Sequence, residues 1–186
     1  MRDLGYAIVL PFINRMQLFS IEGREIMRAN AELTGREGKI SGRADFTEYE
    51  FGDQRIVKIA LDLSGDTEIL KLGKHAVHIH EKADCHGEFK CAGGHFDPGP
   101  AGNSDPDVNH PFHAGDLPNI IVDENGKGHL EAITTRVTLS PGPLCILSGE
   151  GTSLMIHGNP DPYIGGEHGS GISGGPRVAC GIIKAV

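Results

Sequence analysis

Apolar side chains recur at every second residue between Val57 and Leu63, and this alternation limits the fold more than any other feature of the sequence. The apolar positions are Val57, Ile59, Leu61 and Leu63, and the residues between them are Lys58, Ala60 and Asp62. Successive side chains of a β-strand point to opposite faces, so a period of two predicts a strand with one buried face. Further strands are expected near residues 31–35, 39–48, 75–81, 120–122, 129–135, 143–147, 152–158 and 177–184. The pattern predicts an all-β fold, an antiparallel sandwich or barrel of eight or nine short strands.

A turn signal separates two of these strands. Asp123-Glu124-Asn125-Gly126-Lys127 follows the apolar residues Ile120 and Val122. An Asn-Gly pair readily adopts positive φ angles, so the segment predicts a tight β-hairpin.

Two stretches, 81–117 and 158–176, resist assignment to strands. Connections of this length inside a compact domain are usually functional. The chain has 27 Gly and 11 Pro, mostly beyond Gly87, which is typical of long surface loops on a rigid scaffold. All ten histidines lie between His75 and His168. Because histidine is the commonest metal ligand, this clustering indicates a metal site.

Composition excludes several other classes of function. The net charge of −8, the absence of Trp and an aromatic content of 5% argue against a nucleic-acid partner. The apolar run 6–13 is too short to span a bilayer. Residues 1–30 form an N-terminal extension before a domain at 31–186. The extension is interpreted as a weak secretory signal or anchor, or as a short helix packed on the domain.

The candidate ligands come in small groups. His78 and His80 are two residues apart on a predicted strand, so both side chains share one face and can bind one ion. Two surface histidines are the alternative. His113 and Asp116 are three apart at a loop end, a spacing that suits zinc. His157 ends an apolar strand, where a lone histidine is more often a buried core residue than a ligand.

Four segments, taken in order, resemble the copper/zinc superoxide dismutase family over residues 31–186. The segments are His78-Ile79-His80-Glu81, Gly93-Gly94-His95-Phe96-Asp97-Pro98, His113-Ala114-Gly115-Asp116-Leu117 and Gly175-Pro176-Arg177-Val178-Ala179-Cys180-Gly181-Ile182-Ile183. The resemblance implies a Greek-key antiparallel β-sandwich or barrel of about eight strands. It also implies two long functional loops, one binding metal and one at the rim of the active site.

The resemblance assigns roles to individual residues. It implies copper bound by His78, His80, His95 and His157, and zinc bound by His95, His113 and Asp116. His95 would bridge the two ions as an imidazolate. His95 and Arg177 would be catalytic, with Arg177 docking the superoxide anion through its permanent charge. Asp161 and His75 would support the ligand histidines, and Cys85 would form a disulfide with Cys180.

The activity implied is the disproportionation of superoxide to dioxygen and hydrogen peroxide through a Cu(II)/Cu(I) cycle. One alternative is a dismutase-like domain that binds or delivers copper without turnover. Another is a secreted zinc-binding module, which would not require His78, His80 and His157 together. The family also suggests a homodimer. A disulfide suggests an oxidising compartment, yet the choice between cytoplasm and periplasm or exterior stays open.

The sequence departs from the family at three places. The usual additional zinc histidine falls near Asn103, so we expect His110 to take its place; the alternative is an exposed His110 beside a weak zinc site. The loop after His157 contains no lysine, which predicts weaker steering of superoxide. Cys91 and Cys145 have no assigned partner.

Overall fold

Three long strands form the largest continuous part of the sheet in the computed structural model, which describes residues 23–99 and 102–186. They are β1 (Arg24–Gly35), β2 (Ile40–Phe51) and β3 (Gln54–Gly65), joined by short turns in antiparallel order. The apolar residues from Val57 to Leu63 are buried at every second position, so the predicted alternation of β3 is confirmed.

The remaining strands nearly close the sheet into a barrel. They are β4 (Gly73–His75), β5 (Val77–His80), β6 (Ile120–Val122), β7 (Lys127–Thr134), β8 (Ser153–His157), β9 (Arg177–Ile182) and β10 (Lys184–Ala185). The order is β4-β6-β7-β3-β2-β1-β9-β8-β5, and β10 pairs with β1. Because only Ala76 separates β4 from β5, the two ends of this order meet. The antiparallel all-β prediction is confirmed.

Apolar side chains from all around the barrel fill the main core. Phe46, Ile59, Leu61, Ile79 and Ile156 are fully buried within it. In the part of the chain that the structure describes, two short 3₁₀ turns lie outside the strands, at Arg36–Gly38 and Lys90–Ala92. Among the described residues, no helix is long and apolar enough to cross a membrane.

The prediction of a strand at 143–147 is wrong. Cys145 and Ile146 are buried as an apolar strand would be, but they lie in a chain of turns. Cys145 N donates to Gly142 O at 3.2 Å, and only an isolated bridge to Thr138 has β geometry. The apolar pattern therefore reports burial here, because a folded loop covers the core without extending.

Two further boundaries differ from expectation. The hairpin between β6 and β7 has a four-residue loop in which Gly126 has a positive φ of 71°, while Asp123 Oδ1 accepts the N–H groups of Asn125 and Lys127. The strand β1 begins at Arg24, so residues 24–30 already belong to the sheet. The predicted signal or helix falls mainly on residues 1–22, which lie outside the described residues.

Two long loops leave the barrel where the sequence predicts them. The metal loop (residues 81–119) connects β5 to β6, and the rim loop (residues 158–176) connects β8 to β9. The disulfide Cys85–Cys180, with its Cα atoms 5.8 Å apart, ties the metal loop to β9. Cys91 and Cys145 are free thiols.

Candidate metal centre

Backbone pairing brings the metal loop back onto β5. Phe96 N donates to Ile79 O, and Ile79 N donates to Gly115 O, each at 2.8 Å. Gly115 approaches so closely that a Cβ there would lie 2.4 Å from Ile79 O, so only glycine fits. This pairing places His95 beside His80 and Asp116 beside His78.

The first group of candidate ligands consists of four buried histidines. One ring nitrogen from each lies within 4.8 Å of the others; the residues are His78, His80, His95 and His157. The strand β5 supplies two of them from the same face, as their spacing predicts, while β8 and the metal loop supply the others.

Each of these histidines has one buried ring nitrogen without a hydrogen-bond partner. The atoms are Nδ1 of His78 and Nε2 of His80, His95 and His157. Buried polar atoms are normally paired, so four convergent ring nitrogens without partners are suited to bind a cation. The opposite nitrogens are held: His80 Nδ1 donates to Gly93 O at 3.1 Å, and His157 Nδ1 donates to Gly175 O at 3.2 Å. Such support fixes the ring and leaves the other nitrogen free for a metal.

Burial also sets the protonation of this group. Desolvation lowers the pKa of His95 to about 4, with His78 adding repulsion. The pKa values of His78, His80 and His157 are lowered as well, chiefly by burial. The four rings are therefore neutral at pH 7, which is the form that binds metal.

The second group surrounds the carboxylate of Asp116. His95 Nδ1 lies 2.8 Å from Oδ1, while His110 Nδ1 and His113 Nδ1 each lie 3.2 Å from Oδ2. The His110 nitrogen is not aligned for a hydrogen bond despite that distance, and it counts as unpartnered. Three imidazoles and one carboxylate converging on one point match the four-coordinate donor set of zinc.

The second group combines a carboxylate with imidazoles, and these groups shift one another's pKa values. Burial opposes ionisation of Asp116, but the adjacent imidazoles of His110, His113 and His95 hold its pKa well below the usual range. Burial likewise opposes protonation of His110, yet Asp116 and Asp161 outweigh it and raise the pKa of His110 to about 9. His110 is therefore protonated at pH 7, and binding of a cation by this group would release that proton.

Asp161 connects the two groups. Its Oδ1 lies 2.7 Å from His110 Nε2, and its Oδ2 lies 3.1 Å from His78 Nε2. Asn119 holds Asp161 in place: its Oδ1 accepts the Asp161 N–H at 2.8 Å, and its Nδ2 donates to Asp161 O at 2.9 Å. Nothing in the sequence pattern singles out Asn119.

The remaining predicted residues lie around the first group. Arg177 donates from its two terminal nitrogens to Phe89 O and Gly93 O, each at 2.6 Å. His75 is buried, with Nδ1 2.8 Å from His157 O and Nε2 2.7 Å from Lys71 O. Arg177 thus holds Gly93, whose carbonyl oxygen supports His80, and His75 holds the backbone of His157.

Arg136 binds the backbone of the metal loop, a role that the sequence did not indicate. It donates to the carbonyl oxygens of Pro111, His113 and Asp116, the second at 3.1 Å. Arg136 lies two residues after β7, and nothing local signals this role, because its partners are backbone atoms 20 to 25 residues away in sequence. Three further histidines lie outside both groups, and each has an exposed side chain that contacts one aspartate. They are His86, His129 and His168.

A nearly closed β-barrel with two adjoining histidine groups that share one ring is the architecture of a dinuclear metalloprotein. The family model of copper/zinc superoxide dismutase (SODC) matches residues 40–183. The chain belongs to the copper/zinc superoxide dismutase family.

Individual relatives agree with this placement. Superoxide dismutase [Cu-Zn] of Deinococcus radiodurans is 38% identical over 167 residues, covering 84% of each chain. Superoxide dismutase [Cu-Zn] 2 of Aquifex aeolicus is 36% identical over 169 residues, covering 90% of this chain and 92% of its own. Among solved structures, the clock protein EA4 superposes with a TM-score of 0.66 at 29% identity, covering 86% of this chain and 95% of that chain.

Proposed function

We propose that this protein disproportionates superoxide: two superoxide anions and two protons become dioxygen and hydrogen peroxide. The names of its Deinococcus and Aquifex relatives support the activity. The observation that carries the proposal is the ring of His95, whose Nε2 is unpartnered among the first group while its Nδ1 lies 2.8 Å from Asp116 in the second.

The donor sets fit copper and zinc. His78, His80, His95 and His157 would hold copper, and His95, His110, His113 and Asp116 would hold zinc. Bound copper supplies one-electron redox chemistry, whereas zinc, which has no redox change, supplies charge and order. A shared His95 ring must lose both N–H protons, which two adjacent cations make favourable.

The chain's own residues handle the substrate and the proton. Arg177 carries a permanent charge on a planar fork, so it can dock an oxyanion without a proton transfer. His95 Nε2 is the atom that accepts a proton between the two half-reactions and later returns it to the second superoxide. The first superoxide gives up one electron and leaves as dioxygen. The second gains one electron and two protons and leaves as hydrogen peroxide.

Substituting single candidate copper ligands tests the proposal. His78→Ala and His157→Ala should each lower bound copper and abolish superoxide consumption, because each removes one of four convergent nitrogens. The matched control is His129→Ala, since His129 is exposed and pairs only with Asp62 in the described part of the chain. Metal analysis and a superoxide-decay assay give the readout. Full activity in either ligand variant would refute the copper assignment.

A further inference from the structure

Asp107 is a buried carboxylate in the metal loop, and it has no role in the proposed reaction. It is 4% exposed, and it receives three hydrogen bonds from the rim loop. Gly171 N donates to Oδ2 at 2.9 Å, while Ser173 N and Ser173 Oγ donate to Oδ1 at 3.2 and 3.0 Å. The backbone adds a fourth tie, from Gly166 N to Asp107 O at 2.8 Å. One side chain thus fastens the rim loop to the metal loop.

The fastened segment runs directly to His157. Gly174 follows Ser173, and a Cβ on Gly174 would lie 2.9 Å from the Cβ of His157, so this backbone packs against the histidine. Gly175 O then accepts the hydrogen bond of His157 Nδ1, which leaves Nε2 free. Arg177 comes two residues later. The stretch that Asp107 anchors therefore orients one candidate copper ligand and leads into the candidate anion-docking residue.

The anchoring interaction is charged. Burial disfavours ionisation of Asp107, but the donors on Gly171 and Ser173 outweigh it and lower its pKa. Hydrogen bonds to an ionised group are shorter and stronger than neutral ones. On its other side, Asp107 lies three residues before His110 in the metal loop, and its own N–H donates to Asp105 Oδ1 at 3.0 Å.

We propose that Asp107 is a positioning residue. By binding Ser173, Asp107 holds the rim loop against the metal loop. The backbone that continues through Gly174 then keeps His157 and Arg177 in place. The expected effect on turnover rests on the proposed dismutase function, whereas the effect on the order of the rim loop does not.

The test compares Asp107→Asn and Ser173→Ala with Glu48→Gln. Glu48 is an equally buried carboxylate with the same kinds of donor: Leu139 N, Ser140 N and Ser140 Oγ, at 2.7–3.1 Å. The loop that it fastens carries no candidate ligand, so Glu48→Gln reports a loss of stability alone. Ser173→Ala removes one donor only, and it keeps the test open should Asp107→Asn fail to fold.

Three readouts separate positioning from stability. Asp107→Asn should speed amide hydrogen exchange across residues 166–175 by about tenfold, given the usual strength of hydrogen bonds to charged groups. The Cu(II) paramagnetic resonance spectrum of the loaded protein should change, because His157 is less constrained. The superoxide consumption rate should fall at unchanged copper content. Ser173→Ala should do the same more weakly.

The proposal is overturned if Asp107→Asn and Glu48→Gln give the same exchange in residues 166–175 and the same copper spectrum. A wild-type protein that consumes no superoxide would instead defeat the proposed function, while the exchange measurement would still decide the role of Asp107.

Discussion

The carboxylate of Asp161 lies 2.7 Å from Nε2 of His110, although 51 residues separate them in sequence. This contact orients the ring so that Nδ1 of His110 faces Asp116 at 3.2 Å. His110 is 2% exposed, so the alternative of an exposed histidine is wrong. The geometry supports His110 as the substitute for the zinc histidine that the family has near Asn103.

We predict that His110→Ala loses zinc while keeping copper. Removing residues that merely support a ligand costs about 10–100-fold in metal affinity, and loss of a direct ligand should cost at least as much. Competition with a zinc chelator measures the change, with His129→Ala as the control. Equal and full zinc in both variants would exclude His110 as a ligand.

Arg177→Gln should slow superoxide consumption without removing copper. Loss of a focusing charge lowers encounter rates by roughly 10–10³-fold, and the effect should shrink as salt is added. Arg177→Lys should recover part of the rate, because it restores the charge but not the fork that reaches Phe89 O and Gly93 O. An unchanged rate for Arg177→Gln at low salt would contradict the docking role.

The metal-free protein should lose stability as the pH falls from about 6.5 to 4. The pKa of His95 is about 4 in the folded state against 6.5 for an unperturbed histidine, so the unfolded chain binds more protons in this window. The contribution is fully present above pH 6.5 and amounts to roughly 3 kcal/mol at most. The raised pKa of His110 makes stability depend on pH only above about pH 6.5, so His110 does not contribute to the loss of stability between pH 6.5 and 4.

Urea unfolding of the metal-free protein at several pH values measures this effect. His95→Gln removes the titrating ring, so its stability should fall less steeply towards pH 4 than that of the wild type. His129→Gln, at an exposed position, should follow the wild type. Parallel curves for all three proteins would show that the burial of His95 does not control acid stability.

Local patterns predicted much of the fold and the candidate site. The period-two burial of β3 and the two long loops are confirmed. The Cys85–Cys180 disulfide, which the family resemblance implied, is confirmed as well. Spacing alone indicated the pairs His78/His80 and His113/Asp116, whereas the roles of His95 and His157 came from the resemblance to the family. The homodimer and the cellular compartment stay predictions.

Other features depend on contacts that no local pattern encodes. Arg136 and Asp107 act on backbone groups 20 to 66 residues away, so their roles appear only when the loops are folded. The segment around Ile146 is buried like a strand, yet its backbone is paired by a turn at Cys145 and by a single bridge to Thr138. Apolar spacing reports which residues are buried, and it does not distinguish an extended chain from a loop that covers the core.

The most direct measurement is the decay of a pulse of superoxide in the presence of the protein. The account predicts fast decay, proportional to bound copper, for protein loaded with copper and zinc, and none above background for the same protein holding zinc alone. Decay by the fully loaded protein that is no faster than with the zinc-only form would contradict the central claim. It would leave a copper-binding domain without turnover.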